Sequence, residues 1–233
     1  MEFIKNFKSL SKFERALWTI SLIVVALSFL LAPDKDYLSL TASLIGVTAL
    51  IFVSKGYVFG QILTVIFSLF YGIISYHFAY YGEMITYLFM TSPMAIMATI
   101  EWYKNPYKKT KEVKVNKVSK RQISVMLILA VCVTMIFYFV LRAMENANLF
   151  FSTLSITTSF VASYLTYLRS PYYALAYSLN DIVLIVLWIM ASVENVAYIP
   201  MIFCFVMFLV NDIYGFLNWK KMMIKQEKQN GPL

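Results

Sequence analysis

This sequence predicts an all-α integral membrane fold of eight transmembrane helices, built as a parallel 3+1+3 repeat with one extra helix at the N-terminus. Three observations predict it. The 233 residues are 61% hydrophobic and only 14% charged, far too apolar for a soluble domain of this length. The apolar residues come in continuous runs of helical length, without the period-two alternation of a membrane barrel. The basic residues then fall almost entirely on one side of the runs.

A bilayer core of about 30 Å takes roughly 20 helical residues. The runs are residues 16 to 32, 38 to 54, 57 to 78, 84 to 103, 123 to 143, 149 to 168, 171 to 193 and 196 to 219. With the N-terminus in the cytoplasm, 18 of the 20 Lys and Arg lie inside, and only Lys35 and Arg142 lie outside. That asymmetry is the positive-inside rule for an even number of passes with both termini cytoplasmic. The first run could also serve as a signal peptide, but "LLAPDKD" is a poor cleavage site. The stretch "KNPYKKTKEVKVNKVSKR" reads as a cytoplasmic, disordered loop beside anionic headgroups rather than a nucleic-acid surface. No nucleic-acid partner is expected.

Cys132 and Cys204 lie inside apolar runs without ligand spacing and read as small core residues. His77 is the single histidine, so neither a metal nor another cofactor is implied. A rhomboid-type protease would need a serine turn and a partner histidine, and a primary pump would need a GxxxxGK[ST] loop. Neither pattern occurs, so the sequence predicts no enzyme.

A repeat is visible within the spans. Lys55 precedes "GYVFGQ" and a pair of runs ending in "EWYKN"; Arg169 precedes "SPYYALAYSLND" and a pair ending in "LNWKK". Each block has an ascending helix, a tight outer loop with an acid (Glu83, Glu194) and a descending helix with an internal proline (Pro93, Pro200). With the span before each, this gives residues 38–103 and 149–219 as three-helix units. Residues 104–148 form the basic loop and linker helix, 1–37 the basic N-terminus and extra helix, and 220–233 a cytoplasmic tail. One linking helix makes the repeat parallel, with solute handled near the midplane between the units. Kinks at Pro93 and Pro200 would suit a gate or simple packing equally.

The polar residues inside the spans are the candidate site. Asp181 lies ten residues into its helix, about 15 Å deep, where a carboxylate is costly unless it faces protein or water. Tyr177, Asp181, Leu184 and Trp188 share one helical stripe, an acid flanked by a phenol and an indole that suits a flat, polar or cationic solute. Asn180 adds an amide. The competing reading is that Asn180 and Asp181 hold helices together. Of the second pair, Asp212 is expected to be structural or gating, and Asn211 to line the path. Gln61, Ser68 and Tyr71 are the candidates on the equivalent helix of the first unit.

The 3+1+3 layout with "GYVFGQ…FYGIISYHFAYYGEMITY…EWYKNPY" and "RSPYYALAYSLNDIVLIVLW…FLVNDIYGFLNWKK" resembles the PnuC family of vitamin transporters, over nearly all of residues 38 to 222. The resemblance implies a fold similar to SWEET sugar transporters. It also implies facilitated diffusion of nicotinamide riboside, an NAD precursor, across the bacterial inner membrane, with a cytoplasmic riboside kinase trapping the solute. Relatives in that family carry thiamine, riboflavin or deoxynucleosides. Tyr173 and Tyr177 stand where family members often place tryptophans, so these alternatives stay open. A homo-oligomer is compatible with the sequence, as is proton coupling through Asp181.

Overall fold

The computed structural model describes residues 6–77, 81–146 and 148–230, and within them the side chains of all but Ile74, His77, Tyr81, Glu83 and Asn230. The expectations placed on His77 and on the acid Glu83 therefore lie outside the described residues. The helices are α1 (Lys12–Leu31), α2 (Tyr37–Ser54), α3 (Val58–His77), α4 (Tyr81–Ile85), α5 (Ser92–Lys104), α6 (Lys120–Ala143), α7 (Leu149–Tyr167), α8 (Tyr172–Glu194) and α9 (Ile199–Asn230). A π-helical segment, Thr86–Thr91, joins α4 to α5, and among the described residues there is no strand beyond two isolated bridges.

Among the described residues, six stretches are long and apolar enough to cross a membrane: α1, α2, α6, α7, α8, and the run Val196–Gln229 that holds most of α9. The apolar part of α3, Val58–Ile73, is shorter, and the α4–π–α5 run is divided by its π-helical segment. Local signals explain the ends. Ser11 and Ser119 form capping boxes with Glu14 and Gln122, and Asp36 accepts from the Ser39 amide at 2.9 Å.

The expectation of an internal proline needs correcting at Pro200, which lies in the first turn of α9, where a missing N–H leaves no helical bond unmade. Pro93 opens α5 but stays inside a continuous helical run, since the residues on either side of the junction keep helical dihedrals. Ahead of Pro93 the chain widens into the π-turn, in which the Ser92 amide reaches the Tyr87 carbonyl five residues back. Pro93 is exposed on the lipid side, and Pro200 is buried at the head of its helix.

Six helices close a ring. In order they are α2, α3, α5, α7, α8 and α9, each packing on the next and α9 packing back on α2. The extra helix α1 lies outside, against α2 and α9, while α6 packs on α7. Much of α6 is bare: Ile128, Val131, Ile136 and Phe139 are all exposed, as a helix with lipid on most sides requires. Cys132 sits on that exposed surface and not in a core; Cys204 is buried as expected.

The basic loop is a second correction. Residues 105–119 are docked, not disordered. Val113 donates to the Gly56 carbonyl at 2.9 Å and Asn116 to the Arg169 carbonyl at 3.0 Å. Gln226, on an α9 that runs well beyond residue 219, clamps the loop twice: its Oε1 accepts from the Val115 amide at 2.9 Å and its Nε2 donates to the Val113 carbonyl at 3.1 Å. The Lys225–Glu112 and Lys117–Glu227 ion pairs lie beside it. Backbone groups that water would otherwise satisfy are thus paired within the protein, which gives a lysine-rich segment a fixed path.

A candidate solute site inside the helix ring

All six ring helices contribute to a central cavity of about 90 Å³. From α8 come Tyr173, Tyr177, Asn180, Asp181 and Leu184, and from α9 Phe205, Phe208 and Asp212. The spacing that places Tyr177, Asp181 and Leu184 on one stripe is what aims all three inward. From α3 come Gln61, Thr64 and Phe67; from α7, Ser159, Ser163 and Thr166. Among the described residues that line it, none is a lysine or arginine.

Two hydrogen bonds tie the α8 side of the wall to α7. Thr158 donates to Asn180 Oδ1 at 2.8 Å, which leaves the Asn180 amide nitrogen free to be a donor elsewhere. The Tyr177 and Ser163 hydroxyls are 2.9 Å apart. Asp181 and Asp212 are only 3% and 4% exposed and line the same cavity from neighbouring helices. The Oδ2 atom of Asp181 is buried and takes no hydrogen bond from an N–H or hydroxyl of the described residues. Burying such an atom is costly unless something positive or protonic meets it.

One glycine is demanded by this geometry. A Cβ on Gly46 would lie 2.6 Å from the tip of the Phe208 ring and 3.2 Å from Phe67. Those rings meet edge to face at 6.0 Å across the cavity, so a bare α2 backbone at residue 46 is what lets them close.

Beyond these rings lies a second cavity of about 60 Å³, which Tyr71, Asn146 and Ser152 help to line. The two cavities share Tyr87, Thr91, Ser159, Asn180, Leu184 and Phe205, and Tyr71 and Tyr87 are in ring contact at 4.6 Å. At the opposite, lysine-rich end, Tyr173 forms the floor. It meets Trp219 edge to face at 5.0 Å, and Trp219 meets Trp102 at 5.2 Å. Both indoles are wholly buried.

The candidates from sequence thus separate. Tyr173, Tyr177, Asn180, Asp181 and Gln61 line the central cavity, and Tyr71 lines the second. Trp188, one turn past Leu184, lines neither; it packs on Tyr198 at 5.6 Å in an apolar cluster. Ser68 is spent on joining α3 to α5, accepting from Ser92 at 2.9 Å. The second pair is reversed from expectation. Asp212 lines the cavity, whereas Asn211 points away and donates to Ser21 of α1 at 2.9 Å and to the Met207 carbonyl at 2.7 Å. Ser21 of α1 takes the Asn211 amide, which turns Asn211 away and leaves Asp212 to face the ring. The Trp102–Trp219 pair, Phe67, Phe205, Phe208 and Gly46 were not picked out by sequence reasoning. The signal available was the tryptophan at the same place in "EWYKN" and "LNWKK".

A family model described as nicotinamide mononucleotide transporter matches residues 36–221. The chain belongs to that family. It is therefore a membrane transporter and not an enzyme. A curated family relative, the nicotinamide riboside transporter PnuC of Neisseria mucosa, is 27% identical over 92% of this chain and 83% of its own length. A solved structure of the vitamin B3 transporter PnuC superposes with a TM-score of 0.79 at 26% identity, covering 94% of this chain and 95% of that one. The transporter family's match starts at α2, so α1 lies outside it.

Proposed function

We propose that this chain carries nicotinamide riboside into the bacterial cytoplasm by facilitated diffusion, through alternating access to the central cavity. The observation that carries this reading is a cavity inside the helix ring that pairs two carboxyls with aromatic faces and amide groups, with no lysine or arginine among the described residues that line it. A pyridinium riboside is a flat cation bearing a carboxamide and hydroxyls. Aromatic faces and an acid attract its charge, while Asn180 and Gln61 suit its polar edges. A mononucleotide would bring a phosphate dianion beside Asp181 and Asp212, which such a lining repels. The relatives named for nicotinamide riboside and vitamin B3 point the same way.

The ring order supports two parallel, SWEET-like units; eight passes with both termini cytoplasmic are the reading that the apolar runs and the asymmetry of Lys and Arg along the sequence support. Taken as α2–α3–α5 and α7–α8–α9, the units meet twice, and each time the third helix of one packs on the first helix of the other. A two-fold axis along the membrane normal generates that pattern. In this reading residues 38–103 and 149–219 are the units, 104–148 the link, 1–37 a peripheral addition and 220–233 a cytoplasmic tail. A cytoplasmic kinase would trap the riboside, and assembly into a homo-oligomer would leave the site within each chain.

Thiamine is the second reading, because it too is a flat cation. Calorimetry on the purified protein with nicotinamide riboside, nicotinamide mononucleotide, thiamine, riboflavin and a deoxynucleoside decides between them. Selective heat with the riboside is expected. Binding of the mononucleotide alone would overturn the proposal, and binding of thiamine alone would keep the mechanism and replace the substrate.

A further inference from the structure

The helix outside the ring is tied to it along one stripe. Glu14, Trp18 and Ser21 stand at i, i+4 and i+7 of α1, so they share a face, and each is hydrogen-bonded to α2 or α9 or to the residue that caps α2. The Glu14 carboxylate, 3% exposed, accepts from Tyr214 of α9 at 2.8 Å and from the Ser11 amide at 2.6 Å, and pairs with Lys55 at the end of α2 at 3.0 Å. Trp18 donates to Thr48 of α2 at 3.2 Å. Ser21, wholly buried, accepts from Asn211 of α9 at 2.9 Å. Val25 and Phe29 continue the stripe as buried apolar residues, while Phe13, Ile20, Ile23 and Leu27 on the other faces are exposed. Those apolar faces are enough to anchor a helix in lipid. A buried carboxylate and a buried hydroxyl are costly there unless partners stand opposite them, so the polar stripe is built for α2 and α9.

The partner helix α9 has two stripes of its own. Phe205, Phe208 and Asp212 line the cavity, whereas Asn211 and Tyr214, three residues apart, meet α1. A helix turns as a unit, so holding the second stripe fixes the direction of the first. We propose that α1 is a positioning element of the solute site: Ser21 and Glu14 hold α9 in the rotation that presents Asp212 and Phe208 to the cavity, and so set affinity without touching the solute. Among the described residues that line the cavity, none comes from α1. With α9 turned, a cationic solute loses a counter-charge, while an uncharged solute of the same shape loses little. That effect on affinity rests on the cationic-substrate reading above; the effect on the facing of residue 212 does not.

Two measurements on the full-length protein test it, and the first is independent of the solute. Asp212→Cys, with Cys132 and Cys204 replaced, reports through its rate of labelling by methyl methanethiosulfonate whether residue 212 faces the cavity. Labelling is expected, and it should slow roughly tenfold when Ser21→Ala and Tyr214→Phe remove the two hydrogen bonds from α1 to α9. No labelling with those bonds intact, or a rate that their removal leaves unchanged, overturns the inference. The second measurement is calorimetry with nicotinamide riboside and its uncharged dihydro form. Ser21→Ala with Tyr214→Phe is expected to weaken the riboside roughly tenfold and the dihydro form less than about threefold. No loss, or equal losses for the two forms, overturns the positioning role, since a general loosening of the fold does not discriminate charge. Ser28→Ala, which removes a hydroxyl bonded within α1 itself, is expected to bind as wild type does, and a loss equal to that of the double variant would also overturn it. A wild-type protein that binds neither form defeats the riboside reading, and labelling then decides the inference by itself.

Discussion

Trp102 and Trp219 make the same hydrogen bond from opposite halves of the ring. The Trp102 indole donates to the Thr166 carbonyl at 2.8 Å, and the Trp219 indole donates to the Val53 carbonyl at 2.9 Å. Trp102 lies near the end of its third helix and Trp219 within the longer α9, and each acceptor lies near the end of a first helix in the other unit. The residues just before them follow suit: Glu101 pairs with Arg169 at 3.3 Å, and Asn218 donates to the Ser54 carbonyl at 2.9 Å. Burial lowers the Arg169 guanidinium from its ordinary value, and Glu101 opposes that shift. With the two indoles in contact beneath Tyr173, the lysine-rich end of the cavity is closed by a symmetric pair of latches.

Removing the indole donors should loosen this end. Trp102→Phe and Trp219→Phe keep an aromatic ring and lose one hydrogen bond each, worth about 1 kcal/mol net. Each is expected to shift the closed-to-open balance roughly fivefold, and the pair more than tenfold if the latches act together. The readout is thiol labelling of Ala98→Cys, a cavity-lining position, by a membrane-impermeant reagent applied from the lysine-rich side, with Cys132 and Cys204 replaced. Unchanged labelling in the double variant would show that the indoles pack without gating.

Gly46→Ala should close the site while leaving the fold in place. The added methyl collides with Phe208 and crowds Phe67, and overpacking of this kind costs about 1 to 3 kcal/mol. The rings can yield only into the cavity, so affinity for the riboside is expected to fall at least tenfold with a modest drop in melting temperature. Pairing it with Phe208→Leu, which makes room, should restore binding. Failure of that rescue, measured by calorimetry, would separate the glycine from the site.

The sequence made α8 legible and left α9 ambiguous, for a physical reason. Along α8 the acid, the phenol and Leu184 repeat at one face, and that face turns to the ring. The same periodicity promoted Trp188, but Tyr198 covers the stripe one turn further on. On α9 two adjacent polar residues compete for the inward direction, and what decides is α1, whose Ser21 takes Asn211. Tertiary contacts of that sort leave no local period. Composition misled at the basic loop, because its order comes from Gln226, more than a hundred residues away in the chain.

Gln226→Ala should free that loop. It removes an acceptor for the Val115 amide and a donor for the Val113 carbonyl, together about 2 kcal/mol. Amide exchange at Val113 and Val115 is expected to speed up by at least tenfold, and trypsin to cut among Lys108, Lys109 and Lys111 sooner. Transport should change little if the loop is only a brace. Exchange rates identical to wild type would mean that the bridge contacts to Tyr57 and Pro106 suffice to hold it.

Charge selection at the cavity sets the final prediction. A phosphate brought within about 5 Å of the Asp pair meets a repulsion of roughly 3 kcal/mol at an effective dielectric of about 20. Nicotinamide riboside should therefore outbind its mononucleotide by at least a hundredfold. Asp212→Asn removes a charge at nearly constant shape and is expected to narrow that ratio by weakening the riboside and relieving the phosphate together. Competition against labelled riboside, with both ligands titrated on both proteins, measures it. A ratio untouched by Asp212→Asn would mean that size, set by Phe205 and the shared wall of the two cavities, rejects the mononucleotide before charge can act.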